Sequence, residues 1–464
     1  MAVSKLQIVL LVLAAFALCE LFAATTAASA SAARKRGLVL LDDLKLRNTH
    51  SQFFGALSHK YDLSFFESTD PELELSRYGV YLYDFIVLFA PRTIQFGGSI
   101  NVDAILNFID DGHSLLVAVN NELDDPVREV ALECGVLYGD DEGSFLVDHF
   151  HFDQGDFDGA HTLVVSRVRE DVPSVITSSS SSAPLLFRGV GASLEAENEL
   201  LIRVADAYST SYVHSPYAEV KSSSGNLLKG RDISLIAALQ ARNNARVTFV
   251  GSLDFFSDRF FDSPVQPFSS SLEQQQKWEK SGNEELAMNL VAWTFGEKGV
   301  LRSSNPRHHL VGHTEQPSLY TIRDEVEYEV EVEEWDGSKG EWVPYISRDD
   351  LQVEAAMLDP YIRTFLQPST NASSPATYRA RFVLPDQYGV FTFRLNYHRK
   401  GYSSLHQRQM VTVRPLRHDQ YERFILSAYP YYAGAFSMMA GFFVFSWFFL
   451  YSTDKTHVAS SASK

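Results

Sequence analysis

GLVLLDD at residues 37–43, DFIVLFAP at 84–91 and HSLLVAVN at 113–120 are three short apolar runs, each followed by a stretch of helical periodicity at 48–60, 100–111 and 125–134. A continuous apolar run of this length reads as a strand covered on both faces, and strands alternating with helices read as an α/β parallel sheet. Functional groups of such a sheet gather at the carboxyl ends of its strands. Asp42-Asp43 end the first run, and Asp254 and Asp258 follow the later buried strand RVTFV at 246–250. As an acid/base pair they need carboxyl groups about 5 to 10 Å apart across a substrate. Their other reading is loop and N-cap duty, since Asp accepts backbone N–H bonds. Between the second and third runs, Phe96-Gly97-Gly98-Ser99 feeds a helix with Val102, Ile105, Leu106 and Ile109 on one face. Gly97 and Gly98 are therefore ligand-loop candidates. A tight connection is the competing reading, because no G-x-G-x-x-G or P-loop pattern accompanies them, and Gly189-Val190-Gly191 also lacks the third glycine.

The α/β region is expected over residues 34–300. It takes in a low-complexity serine run at 178–182, strands near 185–187 and 200–204, and a closing α/β step in which 233–239 leads to the strand at 246–250. Leu286, Leu290, Val291 and Trp293 make one stripe of a helix that ends near Gly296. A second domain is expected over 301–416. VEYEVEV at 326–332 alternates strictly, 392–397 more loosely, and Asp336-Gly337 and Lys339-Gly340 supply turns, which together read as an antiparallel β-sandwich-like domain.

Beyond a juxtamembrane link at 417–431, YAGAFSMMAGFFVFSWFFLY at 432–451 carries no ionisable acid, base or histidine. At about 1.5 Å per residue it spans roughly the 30 Å of a bilayer core. Tyr431, Tyr432 and Tyr451 lie at the two water interfaces, as interfacial aromatics do. At the other end, Lys5, the apolar run 6–17 and the small residues of 23–33 form a cleavable secretory signal over 1–33, with A-x-A sites at Ala28-Ser29-Ala30 and Ala30-Ser31-Ala32. The body is then lumenal or extracellular, and 452–464 is a cytosolic tail. Arg414, Arg417 and Arg423 before the span oppose the positive-inside rule. The signal outweighs them, because a translocated domain of this size crosses largely regardless of flanking charge.

With 40 Lys+Arg against 58 Asp+Glu the net charge is −18, and hydrophobic residues make up 45%. That describes a folded acidic body and excludes nucleic acid, whose binding needs phosphate-neutralising basic patches. Of the two cysteines, Cys19 leaves with the signal, so Cys134 stands alone without an internal disulfide. It reads as a small buried apolar residue, with an intermolecular disulfide or a nucleophile as alternatives. It also lacks the glycine-flanked elbow of a cysteine amidotransferase. His149-Phe150-His151-Phe152-Asp153 puts two imidazoles and a carboxylate at a spacing compatible with a metal, although a half-buried strand has the same alternation. His308-His309 with His313 is weaker, because neighbours on a strand point apart and Pro306 and Gly312 suggest a loop. No G-x-S-x-G elbow is present. The residues therefore give no catalytic set, no cofactor and no metal. Asn371-Ala372-Ser373 is an N-glycosylation sequon between Pro368 and Pro375. Ala433, Ser437 and Gly441 repeat at i, i+4, i+8, a small-residue groove that lets another transmembrane helix approach; chance is the alternative, since such residues are common in spans.

Long strings along nearly the whole mature chain carry a family resemblance. They are GLVLLDDLKLRNTHSQFF at 37–54, Tyr83-Asp84, FGGSINVDAILNFIDDG at 96–112, LFRGVG at 186–191, LQARNNARVTFVGSLDFFSDRFF at 239–261, Asp359-Pro360-Tyr361-Ile362-Arg363-Thr364, LPDQYGVFTF at 384–393 and VRPLRHDQYERFILSAYPYYAGAFSMM at 413–439. The chain resembles the family of the 48-kDa subunit of the eukaryotic oligosaccharyltransferase, the endoplasmic reticulum complex that N-glycosylates nascent proteins. The resemblance implies a non-catalytic subunit needed for assembly and full activity, while another subunit moves the oligosaccharide from dolichyl diphosphate to Asn of N-x-S/T. Implied partners are the multi-spanning catalytic subunit, the ribophorins and the defender-against-death subunit. The implied location is the endoplasmic reticulum membrane, single-pass type I. The N-terminal region also resembles glutamine-amidotransferase-like folds. One departure is the tail, whose Lys455 and Lys464 are isolated where some relatives carry a dilysine retrieval signal; retention then falls to assembly with partners. The rival is a self-sufficient membrane-anchored hydrolase or transferase using Asp254, Asp258 or the His149/His151 pair.

Overall fold

A computed structural model describes residues 34–139, 143–156, 159–177, 183–214, 228–268, 277–346, 350–369, 376–423 and 425–452. The expected signal segment, the serine run at 178–182, the sequon at Asn371 and the tail from 453 lie outside the described residues.

The apolar runs become strands of one nine-stranded sheet. In chain order these are β1 (Arg36–Leu41), β2 (Asp62–Glu67), β3 (Phe85–Phe89), β4 (Ser114–Ala118), β5 (Val136–Tyr138), β6 (Ala192–Leu194), β7 (Leu201–Asp206), β8 (Ser234–Gln240) and β9 (Arg246–Val250). The spatial order is β2-β1-β3-β4-β9-β8-β6-β5, with β7 also pairing β8. Helices α1 (Ser51–Lys60), α2 (Val102–Asp110), α3 (Asp125–Glu133), α4 (Asp258–Asp262) and α5 (Asn283–Thr294) complete the region. Strands β2, β1, β3, β4 and β9 are mutually parallel. Successive residues of β1 serve opposite cores. Val39 and Leu41 pack with Phe53, Leu57, Leu290 and Trp293 from α1 and α5, and Leu38 and Leu40 with Ile105, Phe108 and Val130 from α2 and α3. This two-sided burial is why the run has no polar alternation. Full burial of each such Leu, Ile or Val contributes about 1.5–3 kcal/mol.

The sheet is mixed. β8 pairs antiparallel with β9, and β6 and β7 pair antiparallel with β8. The step expected to close the region as α/β is a hairpin, with residues 234–240 forming a strand. A five-residue turn, 241–245, can join only antiparallel neighbours, whereas a parallel pair needs a crossover of a dozen residues or more.

The second part is a pair of five-stranded sheets. Its strands are β10 (Leu301–Leu310), β11 (Leu319–Thr321), β12 (Glu325–Asp336), β13 (Glu341–Pro344), β14 (Gln352–Ala356), β15 (Pro360–Phe365), β16 (Gln367–Pro368), β17 (Thr377–Val383), β18 (Gly389–Tyr397) and β19 (Leu405–Arg414). One sheet runs β10-β12-β17-β16 with β13 on β12, and the other runs β11-β19-β18-β14-β15. Pairing is antiparallel except for β11 with β19. Val326, Tyr328, Val330 and Val332 of the first meet Phe391, Phe393, Leu395 and Val411 of the second in a single core. Pro306 lies inside β10 rather than in a loop. It sits at a register shift between Ser304 and Arg307 on an edge strand, one of the few places a sheet accepts proline.

The two parts join where the tip of the β18–β19 hairpin meets α5 and the end of β8. Trp293 Nε1 donates to Gly401 O at 2.8 Å, and Gln240 Oε1 accepts from Gly401 N–H at 3.0 Å. Buried Arg246 donates to the carbonyls of Trp293, Lys298 and Gly299 at 2.6–2.7 Å. Its guanidinium also lies 4.9 Å from the Trp293 ring centroid. Beyond β19, α6 (Tyr429–Tyr451) runs for 23 residues. That is about 35 Å of helix, enough for a bilayer core. It is the one such apolar helix among the described residues, and none of it is buried against the body.

Candidate functional site at the carboxyl edge of the parallel strands

From β1 the chain proceeds to β2 on one side, and β3 lies on the other, so the strand order reverses at β1/β3. In open α/β sheets the crevice outside the carboxyl ends at such a reversal is the usual ligand position. A cavity of about 520 Å³ lies there, lined among others by Asp42, Thr49, His50, Arg92, Asn120 and Asp254. Asp42 follows β1, Arg92 follows β3, Asn120 follows β4 and Asp254 follows β9, so four strand ends converge on it.

Asp42 accepts from Arg92 N–H at 3.2 Å and the Thr93 hydroxyl at 3.3 Å. Burial nevertheless pushes its carboxyl up to about 6 from an ordinary 3.8. Asp254 is reached by water but walled in by protein, and this desolvation raises its carboxyl too, against the pull of Arg188, His50 and Arg259. Buried His50 spans the cavity wall, with Nε2 3.2 Å from Leu253 O and Nδ1 2.8 Å from the Thr49 hydroxyl. The cavity can bind a ligand through two perturbed carboxyls and a rim of cations. Of its lining residues, the Thr49 hydroxyl lies 2.8 Å from His50 Nδ1, but that hydroxyl also donates to Leu46 O at 3.1 Å and the two ring nitrogens meet Leu46 O and Leu253 O at 3.0 and 3.2 Å, so both side chains are engaged by the backbone.

The sign of the Asp42 shift gives a prediction. Because its folded value lies above the unfolded one, protonation favours the fold. That stabilisation is complete below the unfolded value and is lost as pH rises through about 6. Asp42→Asn keeps one acceptor oxygen for Arg92 N–H, turns its amide N–H toward the Thr93 hydroxyl and cannot ionise, so it should stabilise the protein by on the order of 1 kcal/mol near pH 7.5 and lose that advantage toward pH 4. Thermal unfolding of both proteins at the two pH values measures this; a pH-independent difference would contradict it.

The other sequence candidates are placed as follows. Asp258 caps α1 from a distance, accepting from Ser51 N–H at 3.0 Å, the Ser51 hydroxyl at 2.7 Å and Gln52 N–H at 2.9 Å. Gly97 and Gly98 pack on the segment before β3: a Cβ on Gly97 would come within 2.1 Å of Asp70 O, and one on Gly98, at φ +60°, within 2.0 Å of Leu73 O. The loop thus needs both glycines for close backbone approach. His149 and His151 go separate ways. His149 Nδ1 is 2.7 Å from His161 Nδ1, so one ring donates and the other accepts, and its Nε2 is 3.0 Å from the Tyr212 hydroxyl. His151 stacks on Tyr208 and meets the Thr210 hydroxyl, while Asp153 accepts from Gly155 and Gln266 N–H. Among the described residues no group of three or more His, Cys, Asp or Glu could hold a metal. His308 is buried against the Tyr320 hydroxyl at 2.7 Å, and burial lowers its pKa. Cys134 is buried at the end of α3 with its thiol pushed up to about 12, which leaves no thiolate near neutrality. The structure also adds two residues that sequence reasoning missed, His50 and Arg92. Only their positions at the N-cap of α1 and just after β3 could have signalled them.

In α6, Ala433, Ser437 and Gly441 fall on one face of an unbroken helix. Nothing lies within 4 Å of a Cβ placed on Gly441, and the Ser437 hydroxyl is satisfied by Gly434 O at 2.8 Å.

Comparison with known proteins supplies the rest. A protein from Danio rerio named "Dolichyl-diphosphooligosaccharide--protein glycosyltransferase 48 kDa subunit" is 44% identical over 420 residues, 90% of this chain and 92% of that protein. Proteins of the same name from Arabidopsis thaliana and Drosophila melanogaster are each 42% identical, covering 90% of this chain and 93% and 91% of their own lengths. Among solved structures, a putative thua-like protein from Parabacteroides merdae aligns with 57% of this chain and 90% of its own, at 10% identity and a TM-score of 0.29. A likeness that low decides neither fold nor function. The family models described as "OST48, N-terminal domain" and "OST48 middle domain" match residues 28–297 and 308–453. With both models covering almost the entire described chain and relatives this similar over their full extent, the chain belongs to the OST48 family.

Proposed function

We propose that this chain is a non-catalytic accessory subunit of an oligosaccharyltransferase complex, needed for assembly and full activity in moving a lipid-linked oligosaccharide from dolichyl diphosphate to Asn of N-x-S/T. The observation that carries this is similarity over 90% of the chain to three proteins named as the 48 kDa subunit of that glycosyltransferase. The engagement of Asp258 as a helix cap, and of the Thr49 hydroxyl and His50 ring by the carbonyls of Leu46 and Leu253, supports a role other than chemistry. In this reading residues 1–33 are a removed signal, 34–300 and 301–416 are lumenal, and α6 is a type I anchor in the endoplasmic reticulum membrane. Asn371 is a glycan acceptor. The multi-spanning catalytic subunit, the ribophorins and the defender-against-death subunit are the partners, and retention follows from assembly with them.

The uncharged α6 offers no polar path for a substrate, so its role is docking, with Ala433, Ser437 and Gly441 as the contact face. Ser437→Leu or Gly441→Leu is expected to cut recovery of multi-spanning partners in mild detergent by roughly tenfold, through steric blocking of helix approach. Resistance to carbonate extraction should be unchanged, since leucine inserts as readily. Full co-purification of both variants would dismiss the groove. Purification of the wild-type chain in mild detergent tests the larger reading: partners in stoichiometric amounts are expected, and a chain recovered alone would refute it.

A further inference from the structure

The two sheets of the β domain treat their arginines differently. On the β12 sheet, Arg302, Arg379 and Arg381 stand directly opposite Glu333, Glu329 and Glu327. Their N–O separations are 2.7, 2.6 and 3.4 Å. Opposite charges across strands stabilise a sheet, and like charges directly opposite destabilise it.

On the other sheet the register sets Arg363, Glu354, Arg394 and Arg408 in one row across β15, β14, β18 and β19. Glu354 is held by Arg363, whose Nε and Nη2 lie 2.7 and 2.6 Å from Oε1. Arg394 and Arg408 then face each other, and neither makes an ion pair or hydrogen bond among the described residues. One carboxylate thus serves three guanidiniums along a row of about 14 Å, in a protein whose net charge is −18. The same positive field reaches His406 on β19, which is held below the ordinary imidazole range by burial and then by His398 and Arg408. Apolar groups flank the row: Met410 is 78% exposed and Phe365 51% exposed. Arginine beside exposed apolar side chains is the composition of protein–protein contact centres.

We propose that this sheet face docks a carboxylate-bearing surface of another protein subunit, with Arg394 and Arg408 as anchors, Met410 packing beside Arg408 and Phe365 beside Arg363 at the far end of the row. Two unfilled guanidinium forks match two carboxylates bidentately. A basic face on an otherwise acidic body also fixes the direction from which an acidic partner approaches. A lipid surface fits less well, because Arg408 lies about 20 Å up β19 from Arg414, the end that leads to α6. The proposal rests on the reading of the chain as a subunit of a complex.

Labelling of the full chain with phenylglyoxal, read by mass spectrometry, tests it in three settings: the complex in mild detergent, the full chain alone in detergent, and the full chain alone in phosphatidylcholine–phosphatidylinositol vesicles. Arg394 and Arg408 should label freely in both settings of the chain alone and be protected about tenfold in the complex. Charge reversal, R394E with R408E, should lower recovery of partner subunits by a similar factor while leaving the unfolding midpoint in place. If the reversal instead lowers the midpoint, the labelling comparison decides alone. Equal labelling in complex and free chain would overturn the proposal, and protection in vesicles would overturn it in favour of lipid. If no partner co-purifies, the subunit reading itself falls and this surface with it. An intact complex with both arginines labelled sinks only the surface.

Discussion

Arg246→Ala is expected to destabilise the protein by about 3–5 kcal/mol and to loosen the junction between the α/β and β parts. The side chain is only 2% exposed, yet it carries a charge inside the molecule. Burial lowers its pKa to about 10, and Glu334 pulls the other way, so it remains a cation at neutral pH. What holds it is geometry. The planar fork satisfies three carbonyls at the end of α5 and in the link to β10, and the guanidinium lies against the Trp293 ring. Truncation removes three bonds from a dry site, leaving Trp293 O and Gly299 O with only the Gly296 and Ser403 N–H groups, and opens a void beside Trp293, the largest fully buried side chain among the described residues. Arg246→Lys keeps the charge but offers no fork, and should recover only part of the loss. Denaturant unfolding of the three proteins measures the effect. A loss below about 1 kcal/mol for the alanine variant would contradict the proposed role of the fork. Faster proteolysis in the 297–301 link should accompany the loss, since the same carbonyls order that segment.

Phe256→Ala is expected to cost a comparable amount, about 3–5 kcal/mol, and to damage the cavity at the strand ends as well as the core. Phe256 is fully buried, and its ring centroid lies 4.7 Å from that of Phe53, 5.0 Å from Phe89 and 5.2 Å from Phe255. These rings tie α1, β3 and the turn after β9 together beneath Asp42, His50 and Asp254. Neighbouring α1 cannot close the gap freely, because its start is fixed by Asp258. Phe256→Leu keeps most of the volume and should cost nearer 1.5 kcal/mol. Urea midpoints of the two variants test the ranking. Equal values would mean that the aromatic cluster is not what supports the cavity floor.

How far the sequence could be read depends on whether the cause of each feature is local. β1, β3 and β4 were legible because burial on both faces forces an uninterrupted apolar run, and α5 because its stripe repeats at helical spacing. β12 was legible because it has one buried and one outward face. The antiparallel half of the first sheet was not. β5 and β6 are three residues each, too short for a period, and they pair across more than fifty residues of intervening chain. Asp254 was found by its place after a strand. His50 and Arg92 were hidden, because nothing near them in sequence says that they share a cavity. Asp258 was assigned cap duty in general terms, but the helix it caps begins 207 residues earlier. Arg246 reads only as the first residue of a buried strand, and its part as a buried cation was hidden, since only the fold brings three carbonyls to it. The Arg394–Arg408 pair exists only once the β18–β19 register is fixed.

The proposed function has this chain support glycan transfer without performing it. Its most direct test is transfer of a lipid-linked oligosaccharide to an N-x-S/T peptide by the gently solubilised complex, by the same preparation depleted of this chain, and by the purified full chain alone. Transfer is expected from the complex, with a strong loss on depletion that returns when the chain is restored before assembly, and none from the chain alone. Turnover by the purified chain, abolished by Asp42→Asn or Asp254→Asn while the fold stays intact, would contradict it.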